Sequence, residues 1–393
     1  MRQQVGEITD EWHQILETCQ KEAATDDEKK EDLVDCKTAL GLPGSFAFKS
    51  EAAERTVHSR CSDPALRSPP AHAHRLRVMS LNLWHGGEGK QKTTEQVAQV
   101  IKAAGASIVG LQETHSQPVA SGSKEDLAKR VDHAVTIAKH LGPQWQLITQ
   151  GFPLPHAGCY NPTAILVKDF EVQQTLPDRW GVVLTSKAAA AKKMPPVAIL
   201  NTHLPYFPYE PFAAMKIPYQ DQKPLDNAQD VEASARKSRQ GHIDAIKKVV
   251  DGINDPETVI FLTGDFNEPS TEDWTQKAAL AGYAPFPVQW PSTSGLQQAG
   301  FVDTFRAVHP QATYQPGFTW STLSAESDPK DHWDRIDYIF VKSTTNEPAA
   351  KTATAGWYVH DVRTIGGPAA TDPDWISDHL GVLADVDVWA AAS

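Results

Sequence analysis

The 393-residue sequence has no apolar run near the ~20 residues that a membrane-spanning helix requires, so a soluble, globular chain is expected. It is also poor in positive charge: 37 Lys and Arg stand against 49 Asp and Glu, a formal net charge of −12. A field of that sign repels polyanions and offers no basic footprint for nonspecific nucleic-acid binding, which disfavours long nucleic acid as a partner. Cysteine is scarce. The four are Cys19, Cys36, Cys61 and Cys159, three of them within the first 61 residues. An even count gathered in a weakly hydrophobic segment suggests disulfides and export, slightly favoured over four unpaired thiols in a cytosolic chain. Met1 to Asp10 shows no basic stretch followed by an apolar one, so any secretion signal has been removed or never existed.

What is present changes character along the chain. From Glu7 to about Leu40 the sequence is polar, with Ile8, Trp12, Ile15, Leu16 and Cys19 at helical spacing, and two short helices are predicted there. A Cys19–Cys36 bond would staple them. Ser45 to His74, with Pro64 and the Ser68-Pro69-Pro70 run, reads as an irregular connector. The domain boundary is placed near residue 74, giving a helical extension and linker over 1–74 and a main domain over 75–393.

From Leu76 onward, runs rich in Val, Ile and Leu alternate with amphipathic stretches. Strands are predicted at Leu76–Leu83, Ser107–Gln112, Trp145–Gln150, Thr163–Val167, Val197–His203, Thr258–Gly264, Arg335–Val341 and Leu380–Val388. Helices are predicted at Thr93–Ala104, Lys124–Leu141, Val231–Val250 and Thr271–Ala281. This alternation suggests layered sheets with outer helices. A long aromatic and proline-rich stretch, from His203 to Tyr219, reads as a functional loop or as a rigid excursion packed on its own rings.

The acidic, amide and imidazole side chains fall mostly at the C-terminal ends of the predicted strands, where strands fix geometry and loops leave room for a ligand. Six segments carry them: Met79-Ser-Leu-Asn82-Leu-Trp84, Ile108-Val-Gly-Leu-Gln-Glu113, Ile199-Leu-Asn201-Thr-His203, Phe261-Leu-Thr-Gly264-Asp265-Phe-Asn267-Glu268-Pro269, Asp334-Arg335-Ile-Asp337-Tyr-Ile-Phe, and Ser377-Asp378-His379. In this order they resemble the endonuclease/exonuclease/phosphatase superfamily, the DNase I-like fold, over roughly residues 76–388.

The resemblance implies an α/β (α+β) fold: a four-layered α/β/β/α sandwich of two packed mixed β-sheets with outer helices, plus the small N-terminal extension. It implies a metal site of Glu113, Asn82 and Asp378, with Glu113 as the ligating carboxylate assisted by Asn82, and Asp378 also forming the terminal pair with His379. It implies Asp265 and Asn267 as the pair holding the scissile phosphate and its attacking water, His203 as one catalytic histidine, and His379 as another, oriented by Asp337. Phosphate-ester cleavage needs charge neutralised on nonbridging oxygens, a water activated, and a proton or positive charge at the leaving oxygen. Carboxylates and amides are hard donors suited to Mg²⁺ or Mn²⁺, and the six segments contain no cysteine for a thiolate zinc site.

Taken singly, each residue has a plainer reading. Asn82 caps a turn, Glu113 joins a salt bridge, Asp337 pairs with Arg335, and His203 is a satisfied core histidine. Three more residues are candidate substrate contacts: His85 beside Gly86-Gly87, Trp320 in a Phe-Thr-Trp segment, and His332 before Trp333. A turn, core packing and a surface loop are their alternatives.

The expected function is hydrolysis of a small or medium phosphodiester or phosphomonoester, with the phosphate-ester substrate as partner. The competing readings are a DNase I-like nuclease and a non-catalytic binding module on the same fold.

Overall fold

The computed structural model describes residues 69–117, 130–149, 163–187, 194–344 and 355–391. The predicted N-terminal helices, all four cysteines and residues 124–129 of one predicted helix lie outside the described residues.

In chain order the strands are β1 (His74–Asn82), β2 (Ile108–Gln112), β3 (Trp145–Thr149), β4 (Ala164–Lys168), β5 (Phe170–Thr175), β6 (Gly181–Ser186), β7 (Val197–His203), β8 (Val259–Asp265), β9 (Val302–Asp303), β10 (Asp337–Ser343), β11 (Gly356–Ile365) and β12 (Gly381–Trp389). The helices are α1 (Thr94–Ala104), α2 (His133–Leu141), α3 (Glu210–Met215), α4 (Ala228–Asp251), α5 (Gln276–Leu280), α6 (Pro291–Gln298) and α7 (Thr304–Val308). Helix starts follow local chemistry. Thr93 and Gln96 form a reciprocal capping box at α1, and the Asp132 and Asn227 side chains accept the first free N–H groups of α2 and α4.

Two mixed six-stranded sheets result, in the orders β11-β12-β1-β2-β4-β3 and β5-β6-β7-β8-β10-β9. Each has a parallel pair at its centre, β1 with β2 and β7 with β8, flanked by antiparallel partners. The sheets pack face to face through Val78, Ile108, Ile165, Ile199, Phe261 and Ile339. On one outer face Met79 and Leu81 meet Val97 and Ile101 of α1 and Ile137 of α2; on the other, Leu200 and Leu262 meet Ile243 and Ile246 of α4 and Leu296 of α6. The four-layered α/β/β/α arrangement expected from the resemblance is therefore observed.

One polar pin crosses the interior. Asn201 donates to the Leu111 and Ala164 carbonyls at 2.9 and 3.1 Å and accepts from Gln112 at 2.7 Å and Thr263 at 3.1 Å. It works because residue 110 is glycine: a Cβ there would lie 2.0 Å from the Thr263 hydroxyl oxygen.

The sequence reading needs correction in several places. The predicted helix Thr271–Ala281 is mostly turn, with only Gln276–Leu280 helical after the Thr275 cap. The described part of the second predicted helix begins at His133 rather than earlier, because Asp132 caps it. Strands β5, β6, β9 and β11 were not anticipated, nor were α3, α6 and α7. β5 and β11 are sheet-edge strands whose polar residues stay half in solvent, which blurs the apolar pattern. β6 is a buried run of only six residues, and β9 has two.

Candidate active site

The register sets the site. His203, Asp265 and Asp337 are directly paired neighbours on β7, β8 and β10, one row across three strands. In the facing sheet Asn82 pairs with Gln112, so Glu113 follows at the same level. Not every candidate closes a strand. Asp337 opens β10, and Asp378-His379 precede β12; both strands run antiparallel to their neighbours, so their starts lie at the same end as the finishes of β1, β7 and β8.

The loops leaving these strand ends adopt left-handed backbone at Trp84, His85, Glu113 and Asn267, with φ of 48°, 59°, 52° and 48°. For non-glycine residues this costs roughly 1–2 kcal/mol each, least for Asn, and such costs cluster where side chains must be aimed at a ligand.

The side chains converge. Asn82 Nδ2 donates to Asp265 Oδ2 at 2.9 Å and to Glu113 Oε1 at 3.3 Å, while its Oδ1 accepts from the Trp84 N–H at 2.9 Å. The other Glu113 oxygen accepts from the His85 N–H at 3.2 Å and lies 3.3 Å from His85 Nδ1. His203 Nε2 is 3.3 Å from Asp265 Oδ2 and 3.0 Å from the Asn267 amide nitrogen. Asn267 also donates from its backbone N–H to Asp265 Oδ1 at 2.9 Å and from its side chain to the Leu204 carbonyl at 3.1 Å.

Across the crevice, His379 Nδ1 meets Asp337 Oδ2 at 2.9 Å, which aims Nε2 toward Asp265 Oδ2 at 3.7 Å and Asp378 Oδ1 at 4.0 Å. Asp378 accepts from Trp320 Nε1 at 3.1 Å, and the Trp320 ring lies 6.1 Å from the His379 ring. Asp337 is held by the Thr319 hydroxyl, which accepts its N–H at 3.2 Å. The simple Asp337–Arg335 ion pair is not formed; Arg335 pairs with Asp303 at 2.7 Å and Asp273 at 2.9 Å.

Four carboxylates thus face two imidazoles in a largely buried space. Burial pushes the Asp378 carboxyl up to about 6, the negative charge of Glu113 adding to the shift and His379 opposing it. Burial alone would raise Asp265, but His203 and His379 beside it hold it down at about 2. Burial would lower His379, yet the carboxylates of Asp337, Asp378 and Asp265 outweigh it and raise the imidazole to about 10. His203 is raised as well, Asp265 overcoming its desolvation. The cluster holds more negative than positive charge, the balance that a divalent cation would correct.

Two corners could take such a cation. Asp265, Asp337 and His379 each bring one ligand-type atom to within 4.8 Å of the others, but the Asp337–His379 hydrogen bond already occupies that corner. Glu113, Asp265 and Asn82 form the other, where Asn82 Nδ2 bridges the two carboxylates and the Glu113 side chain keeps 16% of its surface open to solvent. The donors in both are hard oxygen and imidazole groups, with no thiolate.

Of the sequence candidates, Asn82, Glu113, His203, Asp265, Asn267, Asp337, Asp378 and His379 are brought together, with His85 and Trp320 at the margin. His332 takes its contacts elsewhere: its ring nitrogens meet Asp334 at 3.1 Å and the Tyr283 carbonyl at 2.9 Å, and it packs on Trp274.

A supporting network went unseen in the sequence. Arg239 on α4 is fully buried and donates to Glu210 at 2.7 Å, to the Pro208 carbonyl at 2.8 Å and to the Pro205 carbonyl at 3.1 Å, with Glu268 at 3.8 Å. It ties the loop after His203 to the loop bearing Asn267. Little in the sequence signals it, since Arg239 looks no different from Arg236 and the lysines that give the same helix its ordinary surface charge.

A four-layered sandwich with an acid-imidazole crevice between the ends of its sheets is typical of metal-dependent phosphoesterases. Residues 79–379 match the Endonuclease/Exonuclease/phosphatase family, and the chain belongs to it. An uncharacterized Caenorhabditis elegans protein is 26% identical over 333 residues, spanning 79% of this chain and 90% of that one. Among solved structures, an endonuclease/exonuclease/phosphatase from Beutenbergia cavernae is 19% identical at a TM-score of 0.45, covering 81% of this chain and 72% of its own. An AP endonuclease from Archaeoglobus fulgidus is 14% identical at a TM-score of 0.43, over 79% of this chain and 98% of its own. A mannosyl-6-phosphatase from Bacteroides thetaiotaomicron is 15% identical at a TM-score of 0.43, over 79% and 99%.

Proposed function

We propose that the protein hydrolyses a phosphodiester or phosphomonoester of a small or medium organic phosphate by in-line attack of an activated water, with Mg²⁺ or Mn²⁺ as cofactor. The observation that carries this is the convergence of four carboxylates and two imidazoles at one end of both sheets, with their charge weighted negative. Glu113 with Asn82 would hold the cation, and Asp378 lies close enough to share its field. A cation held there would supply positive charge against the negative charge developing on the phosphoryl oxygens.

The chain's own residues supply the rest. Asp265, kept ionised by its histidine neighbours, accepts a proton from the attacking water, and Asn267, fixed by Leu204 and Asp265, orients that water and the phosphate. His379, kept protonated by Asp337, sets a positive N–H against the charge that develops on phosphorus oxygens. His203 presents Nε2 to the same space, where it hydrogen-bonds a phosphoryl or leaving oxygen.

The test is a panel of small phosphomonoesters and phosphodiesters together with plasmid DNA, assayed with Mg²⁺ or Mn²⁺ and again with EDTA. EDTA-sensitive turnover of small esters, with DNA cut slowly, is expected; DNA as the preferred substrate moves the assignment to a nuclease, and inactivity on every ester removes it. Calorimetric titration with Mn²⁺ gives a separate reading. Glu113→Gln should weaken binding on the order of tenfold or more, since affinity for hard cations follows ligand charge. Unchanged affinity would place the ion elsewhere.

A further inference from the structure

The loop from Leu204 to Gln222 builds a wall of rings that begins at the crevice and runs outward. Trp320, beside His379, stacks on Phe212 with centroids 5.7 Å apart and meets Tyr209 edge-on at 5.0 Å. Tyr219 stands edge-on to Phe212 at 5.6 Å and to Tyr209 at 6.4 Å. Tyr209 and Phe212 form the buried middle of the wall, Trp320 and Tyr219 on either side of them are half-buried, and Tyr206, packed on Phe207, is 40% exposed. Large apolar side chains left open to solvent on a rigid frame call for an occupant.

The frame is rigid. The Gln222 side chain clamps the Tyr209 backbone from both sides, accepting its N–H at 2.9 Å and donating to its carbonyl at 2.8 Å. The Tyr209 hydroxyl donates to Asp334 at 2.9 Å, and the Leu225 N–H donates to the Ala213 carbonyl at 3.0 Å. The open end faces the chemistry. The Trp320 indole N–H donates to Asp378 at 3.1 Å, and Tyr219 reaches Trp320 through Phe212, so the wall joins the mouth of the crevice to the acidic cluster.

Resting on the hydrolytic reading above, we infer that the preferred substrate carries a planar aromatic ring on its esterified group, a phenyl-type ring or a nucleobase, held against Trp320, Tyr219 and Tyr206. Rings recognise a flat π-face without reading its edge, and phenol hydroxyls add a hydrogen bond. The alternative of a polyanionic organic part has little support, because the wall is uncharged and the chain carries a net charge of −12.

The experiment compares n-propyl phosphate, 2-phenylethyl phosphate and thymidine 5′-phosphate, each also as its methyl diester, on the full chain with Mg²⁺ or Mn²⁺. The propyl and phenylethyl leaving groups have similar basicity, so their difference reads the ring. The expected result is about tenfold higher kcat/KM for at least one ring-bearing ester, mostly through KM, as one aromatic stacking contact would give. In Tyr206→Leu and in Tyr219→Leu, each checked for an unaltered melting temperature, that ratio should fall toward unity. Tyr206→Phe should keep it.

Equal kcat/KM for all esters, or a ratio untouched in both leucine variants, overturns the ring preference and leaves the hydrolytic reading standing. No turnover of any ester removes both.

Discussion

Replacing His379 with alanine is expected to lower kcat by ~10²-fold or more while the protein stays folded, the range for losing a positioned acid or charge stabiliser. The side chain belongs to no core cluster, so its loss leaves the apolar packing alone, and Asp337, left without its imidazolium, can take up a proton instead of remaining a buried charge. The importance of His379 lies in its charge. Burial disfavours the imidazolium, but Asp337, Asp378 and Asp265 raise the group to about 10, so it stays cationic across the neutral range. A function that needs the protonated form is therefore fully present across the neutral range and is lost as pH rises through about 10.

Asp337→Asn removes the strongest of the raising influences while keeping the shape of the partner. The alkaline limb of the kcat/KM profile should then move to lower pH, which a profile from pH 6 to 11 would resolve. An alkaline limb that stays in place in Asp337→Asn, or near-normal turnover in His379→Ala, would assign the chemistry to other groups.

How far this site could be read beforehand follows from where its residues stand. Asn82, Glu113, His203 and Asp265 are legible because each ends or directly follows an apolar run, and a strand that stops at a polar side chain announces a functional edge. Asp337 and His379 were recognised only through the order of segments, since they precede their strands; antiparallel pairing, which local periodicity does not encode, brings them to the same end. Trp320 was legible as a motif, yet its place beside His379 depends on a contact 59 residues away in sequence. For His332 the sequence gives no sign of its partners: Asp334, which the Tyr209 hydroxyl also meets at 2.9 Å, and the Tyr283 carbonyl hold its imidazole.

The fold's layers were legible for the same reason as the strand ends: its central strands are buried on both faces and read as continuous apolar runs. Edge strands β5 and β11 bury one face and dissolve into the background. The Arg239 network was the least visible, because nothing in a single helix shows that an arginine points inward to two glutamates on other segments.

That network carries the largest expected effect on stability. In Arg239→Met the volume is nearly kept, but Glu210 and Glu268, both with fully buried side chains, lose their counter-charge. Breaking a buried pair from one side costs ~3–5 kcal/mol. The sign of its pH dependence follows from Glu268, which burial raises from 4.5 to about 7 even though Arg239 and Ser292 pull it down. A carboxyl raised in the folded state favours folding while protonated; that advantage is full below 4.5 and is lost as pH rises through about 7.

Without Arg239 the group rises further, so the gap in unfolding free energy between wild type and variant should be smaller at pH 5 than at pH 8, measurable by urea denaturation at both. A gap independent of pH would mean that the lost stability comes from packing alone. Catalysis should suffer beyond the loss of stability, because Arg239 also holds the Pro205 and Pro208 carbonyls and so fixes the strand end that aims His203. At a temperature where the variant is fully folded, a lower kcat with little change in KM is the signature of a positioning residue; unchanged kcat would confine Arg239 to the stability of the fold.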